Sequence, residues 1–248
     1  MSTPSPAPKE PRGEQLHEVS GLKKVVVFGA SGHAKVVIDI LVKQGVYGVV
    51  GLLDKFKPAG FLCEGKPVIG PIADLPRLLQ QNEGLGVIVA VGDNWIRSRI
   101  VEEILGLCPD IEFCQAIHPS AQIASSAVIG RGTVIMPGAV VNAGSSVGEF
   151  CILNTRSSLD HDSTMDAFSS LSPAATTGGN VHIGPYSNIG MGATLIQGVS
   201  VGQHTVIGAG AVVFRCMPDN IVAYGMPAKV VRSRQPGDRY LAETPSVF

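Results

Sequence analysis

From Ile117 to Val213 an apolar side chain returns at every sixth position. The register is Ile117, Ile123, Ile129, Ile135, Val141, Val147, Leu153, Leu159, Met165, Leu171, Thr177, Ile183, Ile189, Leu195, Val201, Ile207 and Val213. Every member is Ile, Val, Leu or Met except Thr177. Four positions after a register residue stands a small or β-branched one: Ala127, Thr133, Ala139, Ser145, Cys151, Ser157, Ser163, Ser169 and Ala175. An amphipathic helix repeats at 3.6 and a half-buried strand at 2, so neither describes this segment. A period of six, with one large and one small inward side chain, is a hexapeptide repeat. It predicts short strands in triangular coils of about 18 residues, stacked as a parallel β-helix over roughly 117–215.

The N-terminal half is patterned differently. Lys24–Phe28 is a short apolar run ending at Gly29, and helical spacing follows from about Ala34 through Val37, Ile38, Leu41 and Val42. A strand is predicted at Gly48–Leu53, a helix after Asp74 as its N-cap, a strand at Gly86–Val91 and a helix from about Asn94 to Leu105. Alternating strands and helices predict a small, mostly parallel α/β sheet of Rossmann-like type. The chain therefore divides into an α/β domain over 23–116 and a β-helix with a C-terminal cap over 117–232. Residues 1–22 and 233–248 read as tails. The stretch Met1–Pro11 carries four prolines and no apolar segment of the signal-peptide kind.

Composition narrows the function classes. Net charge is −1, so there is no basic field for nucleic acid and no basic amphipathic stretch for a membrane surface. Gly or a charge cuts every apolar run well short of a membrane span. The five cysteines lack metal or redox spacing, which fits small core thiols in a cytoplasmic protein.

Two regions carry candidate chemistry. The turn Gly29-Ala30-Ser31-Gly32-His33-Ala34 closes the first strand and opens the first helix. Such a turn offers backbone N–H groups and a helix dipole to phosphate. Ser31 and Ala34 occupy the second and third glycine positions of the dinucleotide fingerprint, so a tight turn without ligand is equally compatible. Asp54, ending the second strand, is placed either to contact a ribose or base or to shape a turn. Asp93-Asn94 lies on the same sheet edge and also suits a helix N-cap. The domain is too short for a full dinucleotide fold; a nucleotide-sugar fits it better than a nicotinamide cofactor. In the β-helix, Leu159-Asp160-His161-Asp162 puts a histidine at a coil corner beside two carboxylates, where it suits a general base. Gly178-Gly179 follows Asp160-His161 by 18 residues, so its backbone stacks directly above that corner.

Gly-Ala-Ser-Gly-His-Ala-Lys (29–35) after a strand, the Asn-Thr…His-Asp segment, and a β-helix ending in Gly-Met-Pro-Ala-Lys (225–229) together resemble one family. It is the NeuD-type sugar O-acyltransferases, which include the bacterial nucleotide-aminosugar N-acetyltransferases. The resemblance covers residues 23–232. It implies a left-handed β-helix, acetyl-CoA as co-substrate without a metal, and a homotrimer with its active site between neighbouring β-helices. It also implies N-acetylation of a nucleotide-linked sugar of the 4-amino-4,6-dideoxy type, with O-acetylation of a sialic acid or another sugar as the second possibility. Carried over residue by residue, it gives His161 as base, with Asp162 rather than Asp160 holding the ring, and Gly179 N–H directed at the thioester carbonyl. Asn154 would contact the sugar. Gly29, Ser31, Gly32, His33 and Asp54 would bind its nucleotide. Ser170, Met191, Ala209, Gly225, Pro227 and Lys229 would line the CoA groove, with Lys229 reaching a phosphate.

Three features depart from the family pattern. Ser170 replaces a second histidine nine residues after the first, Arg156 follows Asn154-Thr155, and Met165-Asp166 replaces an aliphatic–Gly pair. A zinc-dependent β-helix anhydrase needs several histidines close in space, and His118, His161, His182 and His204 never repeat at 18. A non-catalytic scaffold and a nicotinamide oxidoreductase are weaker alternatives.

Overall fold

A computed structural model describes residues 21–241. The N-terminal sheet has the order β3-β4-β2-β1-β5. Strands β1 (Lys23–Phe28), β2 (Tyr47–Leu53), β4 (Lys66–Gly70) and β5 (Gly86–Val89) are parallel, and β3 (Leu62–Cys63) runs antiparallel to β4. Strand β1 lies between β2 and β5, and its residues Val25–Phe28 are buried on both faces, which is why they read as an unbroken apolar run. Val25 and Val27 pack towards α1 (Gly32–Gln44), and Val26 and Phe28 join the opposite cluster with α2 (Leu75–Gln81) and α3 (Asn94–Leu107).

One local expectation needs correction, and one element lies outside the expectations. Asp74 makes no side-chain cap; a 3-10 turn over Ile72–Asp74 precedes α2, and the carboxylate lies 3.4 Å from Arg77. The β3–β4 hairpin was not anticipated. Its turn residues Glu64 and Gly65 have φ of 47° and 70°, a left-handed pair that suits a two-residue hairpin.

The β-helix contains two-residue strands from β6 (Ala116–Ile117) to β22 (Val212–Val213) in three parallel sheets. The first sheet includes Val134–Ile135, Ile152–Leu153, Ser170–Leu171 and Asn188–Ile189; the second includes Val140–Val141, Ser158–Leu159, Thr176–Thr177 and Thr194–Leu195; the third includes Ser146–Val147, Thr164–Met165 and His182–Ile183. Register residues pair with those 18 positions on, as Ile135↔Leu153↔Leu171↔Ile189. Both inward positions of the repeat form the core.

At most corners a residue with left-handed φ makes the turn. Glycine serves at 132, 138, 144, 192, 198 and 210, but Phe150, Arg156, Asp162, Phe168, Ala174, Asn180, Tyr186 and His204 hold the same conformation. This conformation disfavours a side chain by about 1–2 kcal/mol per residue. Stacking offsets it on one corner. Phe150, Phe168, Tyr186 and His204, each 18 residues apart, form a ladder with ring centroids 5.0, 5.4 and 4.5 Å apart and interplanar angles of 12° or less.

The α/β domain packs on the first sheet and on this aromatic corner. Ala34, Val37, Ile38 and Leu41 of α1 share a cluster with Ala116, Val134, Met136 and Ile152. Arg97 of α3 is buried in the seam and donates to the carbonyls of Phe150 (2.8 Å), Val91 (3.0 Å) and Gly92 (3.1 Å) and to Asn94 Oδ1 (2.7 Å). Beyond the β-helix, β23 (Ile221–Gly225) extends the first sheet and β24 (Ala228–Ser233) folds back on it. The segment expected as a C-terminal tail is packed over 234–241. There Tyr240 Oη accepts from Asn94 N at 3.0 Å and donates to Gly92 O at 3.3 Å, closing the seam. The expected N-terminal tail lies outside the described residues up to position 20, as does 242–248. Among the described residues no helix is long and apolar enough to cross a membrane.

Candidate active site

His161 stands on the corner between the second and third sheets. Its Nδ1 is 2.8 Å from Asp162 Oδ2. This hydrogen bond, with the charges of Asp160 and Asp162, raises the imidazole above its ordinary pKa. Asp160 serves the backbone instead: its Oδ1 accepts from His161 N at 2.8 Å and from Asn142 Nδ2 at 2.7 Å, which holds this carboxyl below its usual range. The Nε2 side of the ring packs on Gly179, where a Cβ would sit 2.4 Å from Nε2 and 2.5 Å from Cε1. Only glycine permits that contact. Asp162 has a similar neighbour below, since a Cβ on Gly144 would meet its Oδ1 at 2.6 Å. Nδ1 is thus anchored, while Nε2 faces the Gly178-Gly179 corner.

The first βα turn is shaped by different forces. Gly29 has φ of +102°, and a Cβ there would press on Ala90 O at 3.0 Å. Above Gly32 a Cβ would meet nothing within 4 Å, so the first turn of α1 opens on free space. Ser31 makes no side-chain cap, and the first turn carries no acidic residue. The N–H groups and positive dipole end are therefore available to an anion. His33 is partly exposed as a residue, but its Nε2 is buried without a hydrogen-bond partner among the described residues. Burial and then the charge of Arg97 lower its pKa to about 4, so it is neutral at pH 7.

Of the two roles open to Asp54, the turn contacts are the ones visible here. Its Oδ2 accepts from Ala30 N at 2.8 Å, and its Oδ1 accepts from Phe56 N at 2.7 Å and Lys57 N at 2.9 Å. The carboxylate ties the first turn to the loop after β2. That loop presents Phe56, 86% exposed, between Lys55 and Lys57, a group the sequence reading overlooked. Asp93 is a true N-cap, its Oδ1 accepting from Ile96 N at 3.0 Å.

Met191, Ala209, Gly225, Pro227 and Lys229 are exposed along the corner between the first and second sheets and on the β23–β24 turn beyond it. Asn154 lies lower on the same corner, its Oδ1 accepting from Thr155 N at 2.8 Å. Ser170 does not join this group. It is buried on the first sheet beneath the α/β domain, donating to Asn188 Oδ1 at 2.9 Å. Cysteine placement is mixed: Cys63, Cys114 and Cys151 are buried as expected, whereas Cys216 is exposed.

The structure therefore brings together His161, Asp162 and Gly179, and separately Gly29, Ser31, Gly32 and His33. It does not bring the two groups together. The first-turn group lies over the first sheet, and His161 occupies the opposite corner of the triangle. The residue most clearly missed is Thr177, whose hydroxyl accepts from Asp160 N at 3.0 Å. Its break in the aliphatic register was the available signal.

Residues 24–104 match the family described as the PglD N-terminal domain, and residues 175–215 match the bacterial transferase hexapeptide family of six repeats. A histidine-to-alanine mutant of GDP-perosamine N-acetyltransferase from Caulobacter crescentus, solved with CoA and GDP-perosamine, is 37% identical. It is matched over 85% of this chain and 97% of that one, with a TM-score of 0.80. The acetyltransferase domain of PglB from Neisseria gonorrhoeae, solved with acetyl coenzyme A, is 39% identical over 85% of this chain and 100% of that one, TM-score 0.76. UDP-N-acetylbacillosamine N-acetyltransferase from Bacillus subtilis is 36% identical over 116 residues, which span 46% of this chain and 52% of the relative, about half its length. With the α/β domain, the hexapeptide coils and these relatives in one order along the chain, the protein belongs to the NeuD-type sugar acyltransferases, left-handed β-helix enzymes carrying a PglD-type N-terminal domain.

Proposed function

We propose that this chain transfers the acetyl group of acetyl-CoA to the amine of a nucleotide-linked sugar of the 4-amino-4,6-dideoxy type. The observation that carries this reading is the His161 ring, anchored through Nδ1 on Asp162 and laid with Nε2 against Gly179. The relatives support it: one is solved with CoA and GDP-perosamine, another is named for a UDP-linked sugar.

The chemistry follows from those groups. His161 Nε2 takes a proton from the amine as its nitrogen attacks the thioester carbonyl. Asp162 accepts the hydrogen bond of Nδ1–H and stabilises the imidazolium that forms. Gly179 N–H donates to the oxyanion of the tetrahedral intermediate. Collapse breaks the C–S bond, and His161 returns its proton to the departing thiolate. The open turn at Ser31, Gly32 and His33 holds the diphosphate, with Asp54 fixing the shape of that turn. Phe56, Lys55 and Lys57 stand at its rim. Met191, Ala209, Gly225, Pro227 and Lys229 line the CoA path, with Asn154 beside the sugar.

One chain holds its nucleotide turn and its base on opposite sides of the β-helix, so the site is completed between chains. Ile196, Phe214 and Met191, 38%, 55% and 60% exposed, lie on the two corners that bound the second sheet and provide apolar contacts for a neighbour. Closed three-fold packing would cover them and bring a neighbour's His161 to the bound sugar. The reading places the enzyme in the cytoplasm, supplying an acetylated sugar nucleotide for glycan assembly.

The test is a panel of UDP-, GDP- and dTDP-aminosugars with acetyl-CoA, followed by free-thiol release and product mass. The expected result is turnover with one aminosugar nucleotide and an N-acetylated product. Turnover with none of them, or only with a free sugar hydroxyl, would overturn the proposal.

A further inference from the structure

Thr177 is the one hydroxyl in an otherwise aliphatic register, and it sits where the stacking of coils is interrupted. Elsewhere in the second sheet, the residue after each strand donates its N–H to the carbonyl of the register residue one coil on. The distances are 2.9 Å for Ala124 to Val141, 3.0 Å for Asn142 to Leu159, 2.8 Å for Gly178 to Leu195 and 3.1 Å for Ile196 to Val213. At Asp160 the acceptor is Thr177 Oγ1 instead of the carbonyl, at 3.0 Å. The strand Ser158–Leu159 accordingly pairs with Thr176–Thr177 through Ser158↔Thr176 alone, whereas the neighbouring strand pairs register at both residues.

Both sides of this interruption carry the candidate chemistry. Asp160 is followed by His161, and Thr177 is followed by Gly178-Gly179. The hydroxyl thus stands between the two coils one residue before His161, whose own carbonyl accepts from Asn180 N at 2.9 Å, so Asp160 is the point at which the regular coil-to-coil bonding is altered beside the contact of the imidazole with Gly179. Asp160 is held from other sides as well: Ser145 Oγ donates to its carbonyl at 2.7 Å, and Asn142 Nδ2 donates to its carboxylate at 2.7 Å. That carboxylate in turn accepts the N–H of His161 at 2.8 Å.

We infer that Thr177 is a positioning residue, which through Asp160 fixes the height of His161 over Gly179. The inference rests on His161 as the base. Thr177→Val keeps the shape and suits the apolar core, but it either restores the regular carbonyl bond, drawing the corner inward, or leaves Asp160 N–H without its acceptor. Thr177→Ser keeps the hydroxyl and leaves a methyl-sized void.

The two variants should therefore separate in opposite senses. Thr177→Val should lower kcat by about 10- to 100-fold, since a displacement near 1 Å is enough to do so. Its KM values should stay within about threefold. Thr177→Ser should melt earlier because of the void but turn over within about threefold of the parent. A purely structural residue would give the reverse order, with activity following Tm. Should Thr177→Val misfold, Asn142→Ala tests the same clamp from the coil below; it should lower kcat by about tenfold with CoA binding retained. Full kcat in a folded Thr177→Val protein, equal losses in the Val and Ser variants, or full kcat in Asn142→Ala overturns the inference. Near-parental activity in His161→Ala would instead remove the base assignment itself, so the two failures are distinguishable.

Discussion

Gly179→Ala adds one methyl group at the most constrained contact of the site. Its Cβ would lie 2.4 Å from His161 Nε2, 2.5 Å from Cε1 and 2.9 Å from Cδ2. Comfortable contacts between such atoms are about 3.5 Å, so the ring must retreat by about 1 Å. The backbone itself accepts alanine, because Gly179 is not in the left-handed region. The His161 side chain is 50% exposed and swings outward at little cost, pulling on its bond to Asp162. Stability should therefore change by under about 0.5 kcal/mol, or about 2 °C in Tm. Displacing the base by about 1 Å should lower kcat about 10²-fold. Gly178→Ala supplies the contrast. Its Cβ would meet Gln197 N at 2.7 Å and Gln197 Cα at 3.0 Å, backbone atoms that have no free end to swing away. That variant should lose Tm first. Thiol-release kinetics with the best acceptor and thermal melts followed by circular dichroism measure both. The reasoning fails if Gly179→Ala keeps kcat within about threefold, or if it melts as early as Gly178→Ala.

Asp162→Asn should move the acidic limb of kcat to lower pH, because the Asp162 hydrogen bond is the main cause that raises His161 and the base works only when neutral; an unmoved limb would mean that another group holds the ring. Gly32→Val should fold normally, since a Cβ there meets nothing within 4 Å, yet raise the acceptor KM by about tenfold or more while sparing that of acetyl-CoA. Equal losses for both substrates would make the turn merely structural. His33 titrates near 6.5 unfolded and at about 4 folded, so between these values the unfolded chain holds more protons and stability falls as pH drops from 6.5 to 4. At about 1.36 kcal/mol per unit the contribution reaches about 3 kcal/mol, and His33→Gln should flatten that slope in urea melts; an unchanged slope contradicts the assignment.

Hexapeptide coils are unusually legible in sequence because each inward position is set locally and repeats without drift. Ile117 to Val213 can be placed on inward positions without knowing any long-range contact. The parallel α/β strands were legible for a similar reason, since Val25–Phe28 of β1 is buried on both faces and reads as a continuous apolar run. What escaped prediction depends on partners distant in the chain. Arg97 sits in an ordinary helical pattern; only the fold shows that carbonyls of α3's own loop and of Phe150 surround it. The C-terminal strap is polar and lacks periodicity, so nothing local announces that Tyr240 will close the seam. The aromatic ladder has a visible spacing of 18, but residues in its left-handed corner positions look like poor choices until stacking is considered. At the site, the His161–Gly179 stack follows from coil arithmetic. Asp54 stayed open between two roles because a strand-end carboxylate suits a ribose contact and a turn equally; only the fold shows the three backbone N–H groups that it binds together.

The most direct measurement of the central claim is turnover of His161→Ala with acetyl-CoA and an aminosugar nucleotide, alongside acetyl-CoA binding by the same variant. The attacking amine must shed a proton as its bond to the thioester carbon forms, and His161 Nε2 is the group placed to receive it. A loss of about 10²–10⁴ in kcat with acetyl-CoA affinity retained is predicted. Turnover near that of the parent at neutral pH would contradict the account, because the proton would then be leaving by another route.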